Sequence, residues 1–336
     1  GSLEAGATGD IMVDAIVQSQ TGSIRMVAGG VLSVSNGHQV SAGGDGTSIS
    51  ITGDTVDIGT GNAAAKSIQN SGSGTVTIST SGGDLSVDDY SVGGETGLIT
   101  INSAGDLIEQ FSGNSIASIT TTNQVSLTSC GAIGEAGAID ISAGSVTASA
   151  GDDSMGSDGG VYLNGIGTLT LSGITSENGD VDVTADSLVV DQAITTTGET
   201  SVTLFGDTIQ FGADGDVTAG DVNGTPGSIN VDTDVDSGLT IDNGTIFKTS
   251  AGQVSGALIN STDPFKDSGP TGDALSDSNR IATIAVLLED NSDSGLQSTN
   301  VGIQINWGEG DTSENDPQDG DPPGDDRAYV VDSYVT

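Results

Sequence analysis

GDVDVTADSLVVDQAITTTGETSVTL, residues 179–204, sets three short segments, VDV, LVV and VTL, between Gly-Asp and Thr-rich turns. Each segment alternates or clusters aliphatic residues over a few positions, the signature of a short strand rather than of a helix turn. From Val181 to Val202 the pattern returns after 21 residues. The unit is a Gly or turn residue, a small or polar residue, then apolar-x-apolar. Outward from this stretch it recurs as GSIRM (22–26), TSISI (47–51), GTVTI (74–78), GLITI (97–101), NQVSL (123–127), GAIDI (137–141), GGVYL (159–163) and GSINV (227–231). Ile24, Ile49, Val76, Ile99 and Val125 are spaced by 25, 27, 23 and 26, and Ile139, Val161, Val181 and Val202 by 22, 20 and 21. Extra copies such as TVDIG (55–59), GDLSV (83–87) and DTIQF (207–211) fall between them. Two or three strands per return of this length is the rhythm of one coil of a parallel β-helix, whose coils bury their apolar edges only by stacking.

Composition agrees with a solenoid core of small aliphatics. Aromatic residues are 3% of the 336, whereas 53 are Gly, which supplies the turns between strands. Acidic residues number 47 against 6 basic ones, a net charge of −41. Such a charge excludes electrostatic binding to nucleic acid or to anionic lipid. No apolar run reaches the ~20 residues of a membrane helix, so no membrane insertion is expected. A single cysteine, Cys130, and a single histidine, His38, provide neither an internal disulfide nor a zinc site. The opening GSLEAGATGD has no initiator Met, basic n-region or apolar h-region, and reads as the start of a fragment of a larger protein. The acidic excess favours a medium rich in salt or divalent cations, hence an extracellular or cell-surface location.

The expected fold is all-β: a right-handed parallel β-helix of about eleven coils over 1–262, a linker or cap at 263–280, and a small, incomplete β-sandwich-like segment at 281–336. That last segment contains the strand-like RIATIAVLLEDN (280–291) and TNVGIQINWGEGD (299–311), then an acidic loop at 308–326.

The stretch at 179–204, with its Gly-Asp turns and Thr-rich returns, resembles filamentous-haemagglutinin-like and other large repetitive bacterial surface proteins, over about residues 5–260. The resemblance implies a right-handed parallel β-helix, secretion, and an adhesive or surface-layer role. VGIQINWGEGDTS (301–313) is similar to the V-x-I-x-W-G-D-G strand and turn of PKD-type β-sandwich repeats of giant bacterial adhesins, with Glu309 where that pattern has Asp.

For chemistry, parallel β-helices include polysaccharide lyases and hydrolases. A lyase needs a basic group beside its acidic sugar, and Arg25, Lys66, Lys248, Lys266, Arg280 and Arg327 are scattered singly. A hydrolase needs two carboxylates at a set separation, for which the adjacent pairs Asp88-Asp89 and Asp152-Asp153 are candidates. The single Trp307 lies outside the solenoid, which leaves no sugar-stacking platform of that kind on it. Ca²⁺, which takes six to eight oxygen ligands, is the one cofactor this composition suits. The candidate ligands are Asp232, Asp234 and Asp236, alternating along VDTDVDSG (231–238), and Asp311, Asp316, Asp319 and Asp321 in the terminal loop, where Glu314 also lies.

The expected function is non-enzymatic: a structural or adhesive segment of a large secreted or cell-surface bacterial protein, acting as rod, lattice element or contact surface. Its partners would be a protein or polysaccharide on cell surfaces or in matrix, or neighbouring copies of itself. The alternative is a carbohydrate-active β-helix enzyme using paired Asp residues.

Overall fold

The computed structural model describes residues 1–62, 65–110, 116–135, 137–151, 159–198, 200–220 and 227–233, together with the backbone at 239–241, 246–249, 257–261, 285–286 and 305–306. Among the described residues there is no helix, and the strands pair in parallel as a β-solenoid of about nine turns. The chain divides into two units, Gly1–Asp186 and Ser187–Thr336.

Three parallel ladders run through the first unit. One stacks Leu3, Ile24, Ile49, Val76, Ile99, Val125 and Val146 in register. It continues from Val146 to Leu171, and the register shifts just after this pair, so that Ala148 lies on Ile174. The expected spacing of 25, 27, 23 and 26 from Ile24 to Val125 is therefore the spacing of real rungs. A second ladder joins strands Ile11–Val13, Val31–Val34, Thr55–Ile58, Leu85–Val87 and Leu107–Glu109. The third passes through Val17–Ser19, Val40–Ala42, Ile68–Asn70, Val92–Gly94, Ile119–Thr120 and Ile139–Ser142.

Period-two alternation explains why these segments are strands with one buried face. In Ile49–Gly53 and Ile99–Ser103 the aliphatic positions are buried while the Ser, Thr and Asn between them are half-exposed. Each buried Ile removes enough apolar surface from water to contribute about 2–3 kcal/mol before chain entropy is counted. No single coil could retain that burial alone.

The expected step from Ile139 to Val161 is off by two. Leu163 is the register partner of Ile139, and Val161 bridges to Ile133 instead. A slip of two keeps every side chain on its own face, so alternation alone does not detect it.

Glycine is required most plainly where successive coils touch. A Cβ on Gly74 would stand 1.3 Å from the Thr47 carbonyl oxygen, and one on Gly97 would stand 1.9 Å from the carbonyl oxygen of Gly74. One coil further on, the Thr121 hydroxyl donates to the Gly97 carbonyl at 2.9 Å. These turns stack with no room for a side chain.

In the second unit, Ser201–Phe211 runs parallel to Ser228–Thr233 with Val202 on Ile229 and Leu204 on Val231. The backbone of Ala257–Ser261 extends this ladder, and Ile194–Thr197 pairs with Val217–Ala219. Val202, Leu204, Phe211, Val217 and Val231 are fully buried. Of the expected sandwich-like segment, only the backbone at Ala285–Val286 and Ile305–Asn306 is described. Both lie parallel to strands of this unit, on Ile246–Phe247 and Ile259–Asn260.

Candidate functional site

Of the residues expected to bind Ca²⁺, Asp232 lies in strand Ser228–Thr233, half-buried, in register between Phe205 and Asn260. Its neighbours Val231 and Thr233 are buried, so the alternation sets Asp232 on the opposite face of the strand from them. Asp234, Asp236, Asp311, Asp316, Asp319 and Asp321 lie outside the described residues, as does the Asp152-Asp153 pair.

Asp88 and Asp89 are described, and the fold brings a third acid to them. Strand Leu85–Val87 ends at a tight turn in which the Asp88 amide donates to Ser91 Oγ at 2.6 Å and the Asp89 amide donates to Asp88 Oδ1 at 2.6 Å. The Thr60 hydroxyl of the preceding coil donates to Asp88 Oδ2. Asp88 is therefore anchored on both oxygens, one by the amide of the next residue and one by the neighbouring coil.

Glu109 arrives from the next coil. In the second ladder Val13 stacks on Val34, Val34 on Ile58, and Val87 on Glu109. A carboxylate thus occupies an interior rung where the coils before it put Val or Ile. Its ligand-capable oxygen and those of Asp88 and Asp89 all lie within 4.8 Å of one another.

Burial sets the chemistry of Glu109. It is only 3% exposed, and neither carboxylate oxygen has a hydrogen-bond partner. Desolvation pushes its pKa up to about 8, and the charges of Asp140 and Asp88 add to the rise. Against this rise work the Ser118 hydroxyl, which outweighs either neighbouring charge, and the Asp140 amide; both lie close to the carboxylate without meeting hydrogen-bond geometry. Ser118 is itself fully buried, and its hydroxyl is likewise without a partner.

Asp140 connects this interior group to a cleft. Its carbonyl accepts from the Ser118 amide at 2.9 Å, and its Oδ1 accepts from Asn164 Nδ2 at 2.5 Å, while Oδ2 has no partner. Burial raises its pKa, partly offset by the Asn164 bond and reinforced by Asp89. The cleft holds about 370 Å³ and is lined by Glu135, Asp140, Tyr162, Asn164 and Asp182 among others. Asp182 is also raised, by desolvation and then by the nearby Asp180.

The sequence reading found Asp88-Asp89 only as neighbours in the chain and missed Glu109. The signal was present: Leu107-Ile108-Glu109 aligns with Leu85-Ser86-Val87, so a coil-by-coil alignment places the acid at a core position. Asp140 and Asn164 are likewise register partners, visible only once the two-residue slip between coils is known.

With three carboxylates this close, either Glu109 keeps its proton or a cation joins them. Asp88 at 2% exposed and Glu109 at 3% are too enclosed to flank a glycosidic bond. No family model, curated protein or solved structure matches the chain. What the fold and site define is a parallel β-solenoid with an acidic cluster set into its interior.

Proposed function

We propose that this chain is a non-enzymatic structural or adhesive segment of a large secreted or cell-surface bacterial protein, serving as lattice element or contact surface. The observation that supports this most is the uninterrupted register of the first ladder from Leu3 to Val146, which builds an extended, regularly repeated polar exterior around a wholly aliphatic line. Binding on such a surface draws on repetition and multivalency rather than on one pocket. The partner would be a surface protein, a matrix polysaccharide or a second copy of the chain. No helix among the described residues is long and apolar enough to cross a membrane. The test is antibody labelling of intact, unpermeabilised cells of the source organism, combined with sedimentation of the purified chain alone and with matrix polysaccharide. Surface labelling with self-association or polysaccharide binding is expected; labelling only after permeabilisation would overturn the reading.

One observation favours the second reading, a carbohydrate-active enzyme. The cleft brings Asp140 and Asp182, both with raised pKa, beside Tyr162. Release of reducing or unsaturated sugar ends from neutral or acidic polysaccharides, abolished by Asp140→Asn or Asp182→Asn, would establish it in place of the first.

A further inference from the structure

We propose that Asp88, Asp89 and Glu109 hold a divalent cation of the Ca²⁺ class in the interior of the first unit. These are not the acids that the sequence pattern marked for Ca²⁺, and the site is independent of the adhesive reading. Three acids alone would be an ordinary acidic patch, but this group is not on the surface. Asp88 and Glu109 are buried, and Asp89 is half-buried. Glu109 replaces an aliphatic residue at a rung that continues from Val87, so its presence costs stability unless something compensates the charge.

A second observation comes from side chains outside the cluster. The Ser118 hydroxyl and Asp140 Oδ2 are buried oxygens on two other segments, and neither has a hydrogen-bond partner. Both residues adjoin Glu109. Asp140 Oδ2 and the two Glu109 oxygens are acceptors without a donor, and the Ser118 hydroxyl, which can accept as well as donate, stands beside Glu109, so the group holds more acceptors than donors and lacks a positive centre. Buried polar groups are otherwise almost always paired.

The donor set selects the ion. All of these atoms are oxygens, and among the described residues no His or Cys joins them, which suits a hard cation rather than zinc or copper. Ca²⁺ takes ligands at about 2.3–2.6 Å in flexible geometry, so one ion reaches carboxylate oxygens separated by nearly 5 Å. The three ligand atoms lie within 4.8 Å of one another. The hydrogen bonds from Thr60 and the Asp89 amide to Asp88 serve as the outer contacts that orient a ligating carboxylate. Asp140, which also lines the cleft, marks the side from which an ion would enter.

The experiment must separate this site from diffuse association with a chain of −41 charge. Thermal unfolding of the full chain is followed in chelator, in CaCl₂, in MgCl₂ and in NaCl of matched ionic strength, for the wild type, Glu109→Gln and the exposed control Asp45→Asn. Direct excitation of Eu³⁺, used as a Ca²⁺ substitute, counts the waters left on the bound ion. The expected result is a rise of several degrees in CaCl₂ over NaCl for the wild type and Asp45→Asn, and none for Glu109→Gln. In chelator Glu109→Gln should melt above the wild type. Eu³⁺ should show one saturable, poorly hydrated class that Glu109→Gln lacks. If Glu109→Gln does not fold, the half-buried Asp89→Asn replaces it in the same comparison. An equal Ca²⁺ gain in wild type and variant would overturn the site, as would a gain no larger than NaCl gives or Eu³⁺ that stays fully hydrated. Mg²⁺ matching Ca²⁺ would overturn the choice of ion.

Discussion

Two ladders of the first unit use the same coils and end differently. The one from Leu3 through Ile24, Ile49, Val76, Ile99 and Val125 keeps an aliphatic residue at every rung. The one from Val13 and Val34 to Val87 turns from aliphatic to acidic at Glu109. The first ladder shows what a stack needs in order to exist, and the second shows how much it tolerates once its neighbours hold it. An acid at an interior rung is compatible with the fold only where nearby groups or a bound ion lower its cost.

The harshest way to break the comparison is to write the second ladder's exception into the first. Ile99→Glu places a carboxylate at a fully buried rung with aliphatic partners above and below. It should cost about 5 kcal/mol or more of stability, measured by denaturant unfolding at neutral pH. A loss as small as that of a surface change would show that coils absorb buried acids generally and that Glu109 needs no special account.

The next effect is the pH dependence of the cation-free protein. The groups around Glu109 are Asp88, Asp89, Asp140 and Ser118. Its folded pKa is raised to about 8 from an ordinary value of 4.5, so the folded state holds a proton that the unfolded state releases. Stability in chelator should therefore be greatest below pH 4.5 as far as this group is concerned, fall as pH rises between 4.5 and 8, and level off above that. The total loss from this group is on the order of 5 kcal/mol. Glu109→Gln should flatten that window, as should saturating Ca²⁺; a wild-type profile identical to the Gln variant's would show that Glu109 is not desolvated.

A gentler probe of the aliphatic line is Ile51→Val at a fully buried rung. Removing one methylene should cost about 1 kcal/mol, and a null result would mean that the coils are packed loosely enough to close the gap. The smallest effect belongs to the outer face of the same ladder, where Glu4 and Arg25 are register partners 2.7 Å apart and both exposed. Arg25→Ala should change stability by about 0.5 kcal/mol or less, with the difference vanishing in high salt.

Much of this fold is legible in the sequence, because each coil repeats the same physical requirement. The aliphatic spacing from Ile24 to Val125 matches the rungs residue for residue. It fails at Ile139, where Leu163 rather than Val161 is the partner, because a shift of two preserves the inward face. The candidate site was far less legible. Within its own strand, Leu107-Ile108-Glu109 leaves the acid's face open, because Leu107 and Ile108 are both aliphatic, and only its register over Val87 reveals the burial. Ser118 and Asp140 carry no motif at all. Their meaning lies in which coil they land beside.

The contacts at Gly74 and Gly97 bear on how such a chain can grow by duplication. The Gly97 turn rests against the Gly74 carbonyl, and the Gly74 turn against that of Thr47, so each accepts only a neighbour cut to the same shape. A coil copied and inserted elsewhere would bring its own demand for a bare turn on the coil beneath. Lineages of this protein should therefore gain and lose coils in blocks that carry their glycine partners with them, and single transplanted coils should be rare.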